Sequence, residues 1–368
     1  MRSITPVFTK KMRAFYGGIK TGNVAKRNAV PVQTFRELVY ELAELSCLNR
    51  DYLLFYRGQA YDYRNKSGAT SLYPSIYRGN QVPKEELDLR FSYLRTMASN
   101  LQNIIKNKYS DNKKMKELLL RKHVQWSILQ HYEVCPTPFL DVTQSILVAC
   151  SFAFLANTDK AFLYILGMPY NTNRISRNSE HEIINIRLLS ICPPEALRPY
   201  FQEGYLVGTD GLDYRGVDKN EYDFNRRLMA KYELPNLQEF WTDGFSQLPH
   251  DTLYPLDDPI AEICNQIKQN ASDSVSVELI GTFISMWSEL ESALRVISDY
   301  QGQRLAISEQ LKILRDREIL SSDEITEINH ISQVRNRIVH AASPVSIEET
   351  LRAKDLLESI LSLVKEWH

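Results

Sequence analysis

Regular apolar spacing in the C-terminal part of the chain is the feature that most constrains the fold. From Ser274 onward, apolar residues recur at steps of three and four, the pattern of amphipathic helices. In the first such stretch they are Ile280, Phe283, Ile284, Trp287, Leu290, Leu294 and Ile297. Three further stretches follow, at Ala306 to Leu314, at Ser321 to His340 and at Ile347 to Trp367. Because the links are short, we expect residues 272–368 to form an all-α four-helix bundle.

The third stretch ends in the sequence RNRIVH, which begins at Arg335 and ends at His340. A guanidinium, an amide and an imidazole are a minimal set for cleaving an RNA phosphodiester without a metal. Arg335 and Asn336 would bind and neutralise the phosphate, and His340 would move the proton of the attacking 2′-hydroxyl. The alternative is a helix C-terminus whose basic residues favour the helix dipole and bond its last carbonyls.

Spacing limits how this set can act. Five residues along an ideal helix rotate a side chain by about 140°. Arg335 and His340 therefore cannot both point at one phosphate from a straight helix. Either the helix loosens before His340, or a second copy of the chain completes the site. The apolar stripes of the bundle also favour a homodimer.

Composition narrows the classes of protein. The net charge is −1, so binding of nucleic acid requires a local patch of charge. The five cysteines are scattered and show no C-x-x-C spacing, which favours a reducing cytoplasm and argues against a zinc site or a disulfide framework. No apolar run is long enough to span a membrane. We expect a cytoplasmic protein with no membrane partner and no metal.

The first thirty residues carry seven basic side chains and no acidic one. They lack the apolar core of a secretory signal. We expect residues 1–32 to form a basic arm. A solvated, partly disordered arm and a phosphate-binding arm are both compatible with this composition.

Residues 33–265 show mixed patterns that predict an α+β domain. Residues 33–49 have helical periodicity, and DYLLFYRGQ (51–59) is typical of a buried strand. Residues 84–133 are expected to form two helical stretches, and 139–156 a loop followed by an apolar helix of small residues. We expect further strands at 161–169, 182–189 and 201–209. The segment 208–236 is polar and turn-rich, and the domain boundary is placed near 265–273.

Polar residues between these apolar strands define a candidate ligand pocket. They are Arg57, Gln59, His131, Asp141, Thr143 and Gln202. Arg57 ends an apolar strand, where α+β folds open their pockets, and the others offer donors and acceptors suited to ribose and amide groups. The alternative is structural: Arg57 would form a buried ion pair with Asp141, and His131 would be a core residue.

Two resemblances to known families follow from these residues. FYRGQ (55–59), LYPSIYR (72–78), LQHYEVCPTPFLDVTQSILVACSFAF (129–154) and RPYFQEGYL (198–206) together resemble the FRG domain, a module of bacterial defence and toxin-like proteins. The C-terminal helices with their R-N-x-x-x-H motif resemble the HEPN superfamily. That resemblance implies metal-independent RNA cleavage by Arg335 and His340 with help from Asn336, in a cleft between two protomers.

The strand ending in Tyr-Arg-Gly and the Asp-Val-Thr segment also resemble the core of arginine-type ADP-ribosyltransferases. This resemblance implies that Arg57 holds NAD and that Thr143 lies at the nicotinamide pocket. The catalytic glutamate is represented only by Gln202 and Glu203, without the usual paired E-x-E.

Three functions are therefore expected of a prokaryotic defence or toxin-like effector. The first is RNA cleavage by the HEPN-like bundle, controlled by a ligand or a regulatory protein at the FRG domain. The second is NAD-dependent ADP-ribosyl transfer by the FRG domain, with the bundle as dimeriser. The third is a non-catalytic assembly or antitoxin-like module.

Overall fold

The computed structural model describes residues 1–79, 84–109, 119–156, 158–209, 219–235, 237–272, 277–298, 306–340 and 347–365. Contacts within the chain divide it into two units. Unit 1 comprises Met1–Asn80 and Leu94–Asn265, and unit 2 comprises Gln81–Tyr93 and Gln266–His368. None of the described helices combines the length and the apolar character that a membrane crossing requires.

Unit 1 contains a mixed eight-stranded sheet, which confirms the α+β class. The strands are β1 (Val30–Pro31), β2 (Leu53–Gln59), β3 (Phe139–Thr143), β4 (Ala161–Met168), β5 (Ile175–Asn178), β6 (Ile183–Arg187), β7 (Gly204–Thr209) and β8 (Leu228–Leu234). Their order across the sheet is β1-β8-β4-β2-β3-β7-β6-β5. Only the β1–β8 pair is parallel, and all other neighbouring pairs are antiparallel.

The central strand β4 is buried at every position, as its continuous apolar sequence predicts. Its neighbour β8 is buried at every position except Glu233, and here the expectation of a polar, turn-rich segment was wrong. Lys231 obscures the strand pattern in the sequence because it is charged. Its side chain is nevertheless fully buried. It donates to the Thr70 hydroxyl at 2.6 Å and lies 3.5 Å from the Asp62 carboxylate. Partners distant in sequence thus make a charged residue compatible with a core strand.

Helices precede, connect and follow the strands. Up to residue 272 they are α1 (Lys10–Phe15), α2 (Phe35–Leu48), α3 (Lys84–Lys108), α4 (Lys122–His131), α5 (Ile146–Ala153), α6 (Leu188–Ile191), α7 (Arg198–Phe201), α8 (Leu237–Phe240), α9 (His250–Leu253) and α10 (Pro259–Ser272). The expected helix at 33–49 is confirmed as α2, with Phe35, Leu38, Leu42 and Leu45 buried. The Thr34 hydroxyl caps it by accepting from Glu37 N.

The small residues of α5 let this helix approach the sheet closely. A Cβ atom on Gly58 of β2 would lie 1.8 Å from Ala149 O and 2.8 Å from Ala153 N. Glycine is therefore the residue that this contact requires. The expected loop before this helix was wrong, because residues 139–143 form β3. Buried Leu140 and Val142 alternate there with polar residues, which is the period of a strand.

The expectation of a solvated arm at residues 1–32 was also wrong. Met1, Phe8, Met12 and Val30 are buried in the core of unit 1, and β1 pairs with β8. The basic residues lie between these apolar ones and remain at or near the surface, where Lys11 pairs with Glu37 of α2. Charge dominates the composition of the segment, but its apolar residues determine its packing.

Unit 2 contains the expected helices, α11 (Val277–Ile297), α12 (Ile307–Asp316), α13 (Ser322–His340) and α14 (Ile347–Lys365). Apolar residues of all four share one core, in which Phe283, Trp287 and Leu290 are buried. Ser321 and Glu324 form a reciprocal capping box at the start of α13. This confirms a helical C-terminal region. Trp367, the expected end of the last helix, lies outside the described residues.

Candidate functional site

A cavity of about 200 Å³ opens in unit 1 beside Tyr56, Arg57 and Gly58 of β2. Five of the six residues predicted as ligand-binding line it, namely Arg57, His131, Asp141, Thr143 and Gln202. The sixth, Gln59, does not line the cavity, although its side-chain oxygen is buried without a partner in the described structure. The sheet order explains the grouping, because β2, β3 and β7 are adjacent strands that bring together three distant segments of the chain.

Arg57 is the central cation of the cavity. Its Nη1 donates to the backbone oxygen of Asp141 at 2.7 Å, and its buried Nε has no partner among the described residues. Burial lowers the pKa of Arg57 to about 10, against the opposing effect of the Asp141 charge. No ion pair joins the Arg57 guanidinium to the carboxylate of Asp141 or of another described residue. The expected structural ion pair is therefore replaced by a bond to the main chain.

The Asp141 carboxylate is held by two neighbours on α4. Gln130 Nε2 donates to its Oδ2 at 2.6 Å, and its Oδ1 lies 3.1 Å from His131 Nδ1. Burial acts to raise the pKa of Asp141, but the bonds from His131 and Gln130 and the charge of Arg57 lower it overall. An ionised Asp141 favours the tautomer of His131 that carries its proton on Nδ1. The opposite nitrogen, Nε2, is buried and has no partner in the part of the chain that the structure describes.

Thr143 and Gln202 are committed to the protein itself. The Thr143 hydroxyl donates to Glu203 O at 3.1 Å and accepts from Ser145 N. Gln202 Nε2 donates to Leu253 O at 2.8 Å. These bonds hold the chain before β7 and before α5 in place. The two residues shape the wall of the cavity and do not present free groups at these atoms.

Aromatic and acidic residues complete the cavity, and sequence reasoning missed them. Phe152 and Tyr254 line it as an edge-to-face pair with ring centroids 6.0 Å apart. Glu133 also lines it, within 3.5 Å of the Tyr254 hydroxyl. Gln130 could have been predicted from the sequence, because it precedes His131 in the same polar segment. Tyr254 carried no such signal, because it lies between Pro249 and Pro255, far along the chain from the other lining residues.

Arg198 in the RPYFQEGYL block has a packing role. Its guanidinium lies 4.8 Å from the ring centroids of both Tyr132 and Tyr254. It also donates to His131 O at 3.1 Å. Arg198 therefore stabilises the cavity wall from outside through cation–π contacts.

The second candidate set lies on α13 in unit 2. Arg335 is half-buried, and its Nη1 donates to Asn336 Oδ1 at 3.1 Å. The helix continues without a break to His340, its last residue. The expected loosening of the helix before His340 is therefore not observed. At the backbone, Arg335 and His340 keep the angular separation of about 140° that a regular helix imposes.

Comparison with known proteins finds a family match for one segment of the chain. A family model described as the FRG domain matches residues 53–161, a shorter stretch than the expected resemblance. The match includes Arg57, His131, Asp141 and Thr143, whereas Gln202 lies outside it. No curated protein and no solved structure matches the chain. Residues 53–161 are thus shown to be similar to the FRG domain, while the likeness of the bundle to HEPN proteins stays a prediction.

Proposed function

We propose that the cavity beside Arg57 binds a nucleotide, with NAD as the first candidate. The observation that carries the proposal is the state of the Arg57 guanidinium. It lines the cavity, is largely desolvated, and uses one nitrogen for a main-chain bond without pairing to any described carboxylate. A partly buried cation left unpaired is costly, and a phosphate would supply the missing charge.

The other lining groups suit the remaining parts of a nucleotide. Asp141 and His131 offer acceptors for ribose hydroxyls, and Phe152 with Tyr254 offers an aromatic wall for a base. The cavity of about 200 Å³ is small beside the roughly 300–1,000 Å³ of sites for drug-sized ligands. It would enclose one nucleotide half of NAD and leave the other half exposed.

The test is calorimetric titration of the full chain with NAD, AMP and nicotinamide mononucleotide. Wild type should bind at least one of them, and Arg57→Lys should bind about tenfold or more weakly, because lysine lacks the planar fork. Arg50→Lys changes an exposed arginine that does not line the cavity and should bind like wild type. Equal affinity in Arg57→Lys and wild type, or no binding by any probe, would refute the proposal.

ADP-ribosyl transfer is the alternative chemistry for this cavity. Arg57 and Thr143 lie on the adjacent strands β2 and β3, and β7 is the next strand of the sheet, which supports this alternative. However, Glu203 is exposed and does not line the cavity, so Glu133 and Asp141 are the acids available to act on bound NAD. Label transfer from NAD that is abolished in Glu133→Gln or Asp141→Asn would establish transfer. Binding without transfer would leave the domain as a sensor.

For unit 2 we propose metal-independent RNA cleavage by Arg335, Asn336 and His340 in a homodimer. The unbroken helix supports the dimer, because one copy cannot direct both Arg335 and His340 at the same phosphate. Cleavage of total RNA by the full chain should persist in EDTA and leave 2′,3′-cyclic phosphate ends. His340→Ala should lower the rate by about a hundredfold or more.

The same helix offers a matched control for that experiment. His330 is exposed on α13 and belongs to no candidate set, so His330→Ala should cleave at the wild-type rate. Light scattering should give the mass of two chains. A monomer that cleaves RNA, or full activity in His340→Ala, would refute the composite site. Repeating the assay with and without NAD asks whether the two proposed activities are coupled in one effector.

A further inference from the structure

A second cavity, of about 540 Å³, lies in unit 1 and shares no lining residue with the Arg57 cavity. It opens where β5, β6 and β7 lie side by side at one end of the sheet. The residues that matter for its chemistry are Asn171, Arg174, Arg187, Ser190 and Tyr205. No acidic residue is among the side chains that line it.

Two arginines face each other across the β5–β6 hairpin. Ile175 pairs with Ile186, so the preceding Arg174 and the following Arg187 are opposite one another. Arg187 N also donates to Arg174 O at 2.9 Å. Side chains at directly opposite positions of an antiparallel pair lie on the same face, with Cβ atoms about 5 Å apart. Like charges placed in this way repel each other and destabilise the hairpin.

Nothing within the described chain neutralises this pair. Arg174 and Arg187 are both exposed, and neither side chain has a hydrogen bond or an ion pair to another described residue. On β7, the residue that pairs with Arg187 is Tyr205. Across the sheet, the two guanidinium groups are therefore followed by a phenol ring. Two guanidinium groups beside an open cavity without carboxylates form an arrangement that an anion would stabilise.

The other polar residues of the cavity indicate a ligand that carries hydroxyl groups as well as an anionic group. The side-chain oxygen of Asn171 is buried and has no partner among the described residues. A ligand hydroxyl would satisfy this acceptor, and Ser190 adds a further hydroxyl to the wall. We infer that this cavity binds a phosphate ester that carries free hydroxyl groups, such as a sugar phosphate or the ribose phosphate of a nucleotide.

The test uses ribose 5-phosphate, inorganic phosphate and ribose, titrated calorimetrically into the full chain at fixed ionic strength. Ribose 5-phosphate should bind more tightly than inorganic phosphate, and ribose alone should not bind measurably. Arg174→Gln and Arg187→Gln should each weaken binding by about tenfold or more. Arg95→Gln removes an exposed arginine elsewhere in unit 1 and should bind ribose 5-phosphate like wild type.

Thermal denaturation without ligand separates binding from folding. Because each glutamine variant removes a like-charge contact, neither should melt below wild type. A lower melting temperature in both variants would contradict the repulsion on which the inference rests. Equal binding in Arg187→Gln and wild type, or loss of binding in Arg57→Lys alone, would assign the phosphate elsewhere and overturn the inference. Failure of NAD binding at Arg57 would leave it intact.

Discussion

Gly58 follows Arg57 on β2 and forms the close contact between this strand and α5. Replacing Gly58 by alanine should disrupt that contact. The new Cβ would lie 1.8 Å from Ala149 O and 2.8 Å from Ala153 N. Carbon–oxygen contacts normally lie at about 3.3 Å or more. The helix would therefore have to move away from the strand by roughly 1.5 Å.

The free-energy cost is large because the obstructing atoms belong to the backbone. A side chain could rotate away, whereas α5 must shift as a body, and Ala149, Cys150 and Ala153 on it are buried. Overpacking costs about 1–3 kcal/mol and occasionally more. We expect Gly58→Ala to lower the free energy of unfolding by about 3 kcal/mol or more. That corresponds to a fall in melting temperature of about 6–12 °C for a unit of this size.

The assay is thermal denaturation combined with amide hydrogen exchange across residues 146–153. Exchange there should accelerate in Gly58→Ala, because the helix loses its support. Gly281→Ala is the matched control, since a Cβ at that helical position would lie an ordinary 3.4 Å from Glu86 Oε1. It should stabilise α11 by up to about 1 kcal/mol. A melting temperature within about 2 °C of wild type for Gly58→Ala would refute the close approach of helix and strand.

Three further predictions concern buried and capping groups. Asp258→Ala removes a buried carboxylate that accepts from the Tyr132 hydroxyl at 2.7 Å and caps α10. Chemical denaturation should therefore show that the free energy of unfolding falls by about 3 kcal/mol in Asp258→Ala, against about 1 kcal/mol in Tyr132→Phe. Burial raises the pKa of Asp223 to about 6. Its stabilising contribution is therefore complete below about pH 4 and lost as the pH rises through 6, so wild type should lose up to about 3 kcal/mol relative to Asp223→Asn over that range. Ser321→Ala should lower the free energy of unfolding by about 1 kcal/mol, because Glu324 N loses its cap.

Each of these has a result that contradicts it. Equal losses in Asp258→Ala and Tyr132→Phe would mean that the main-chain bonds of Asp258 contribute nothing. Parallel pH profiles for wild type and Asp223→Asn would show that Asp223 has the same pKa in the folded and unfolded states. An unchanged unfolding free energy in Ser321→Ala would show that the capping box is formed without net stabilisation.

Local periodicity was sufficient to predict much of the fold. The face of α2 and the four C-terminal helices follow from spacings of three and four residues, and the buried strand β4 follows from a continuous apolar run. Both signals depend only on neighbours along the chain. The placement of Arg57 on β2 also followed from its apolar sequence, although the strand does not end at Arg57 as expected but continues to Gln59. The composition of residues 1–32 was misleading, because seven basic side chains suggested a solvated arm, whereas nine apolar residues of the segment are buried in the core of unit 1.

Contacts between residues distant in sequence determined the features that local spacing could not predict. Lys231 is compatible with the core strand β8 only because Thr70 and Asp62 reach it from elsewhere in the chain. Thr143 has a polar side chain like its neighbours in the cavity, yet its hydroxyl is used to hold Glu203 in place. A sequence shows which donors and acceptors are present. The tertiary structure decides which of them are already satisfied within the protein and which, such as Arg57 Nε, are left without a described partner, because hydrogen bonds depend on distance in space and not on separation along the chain.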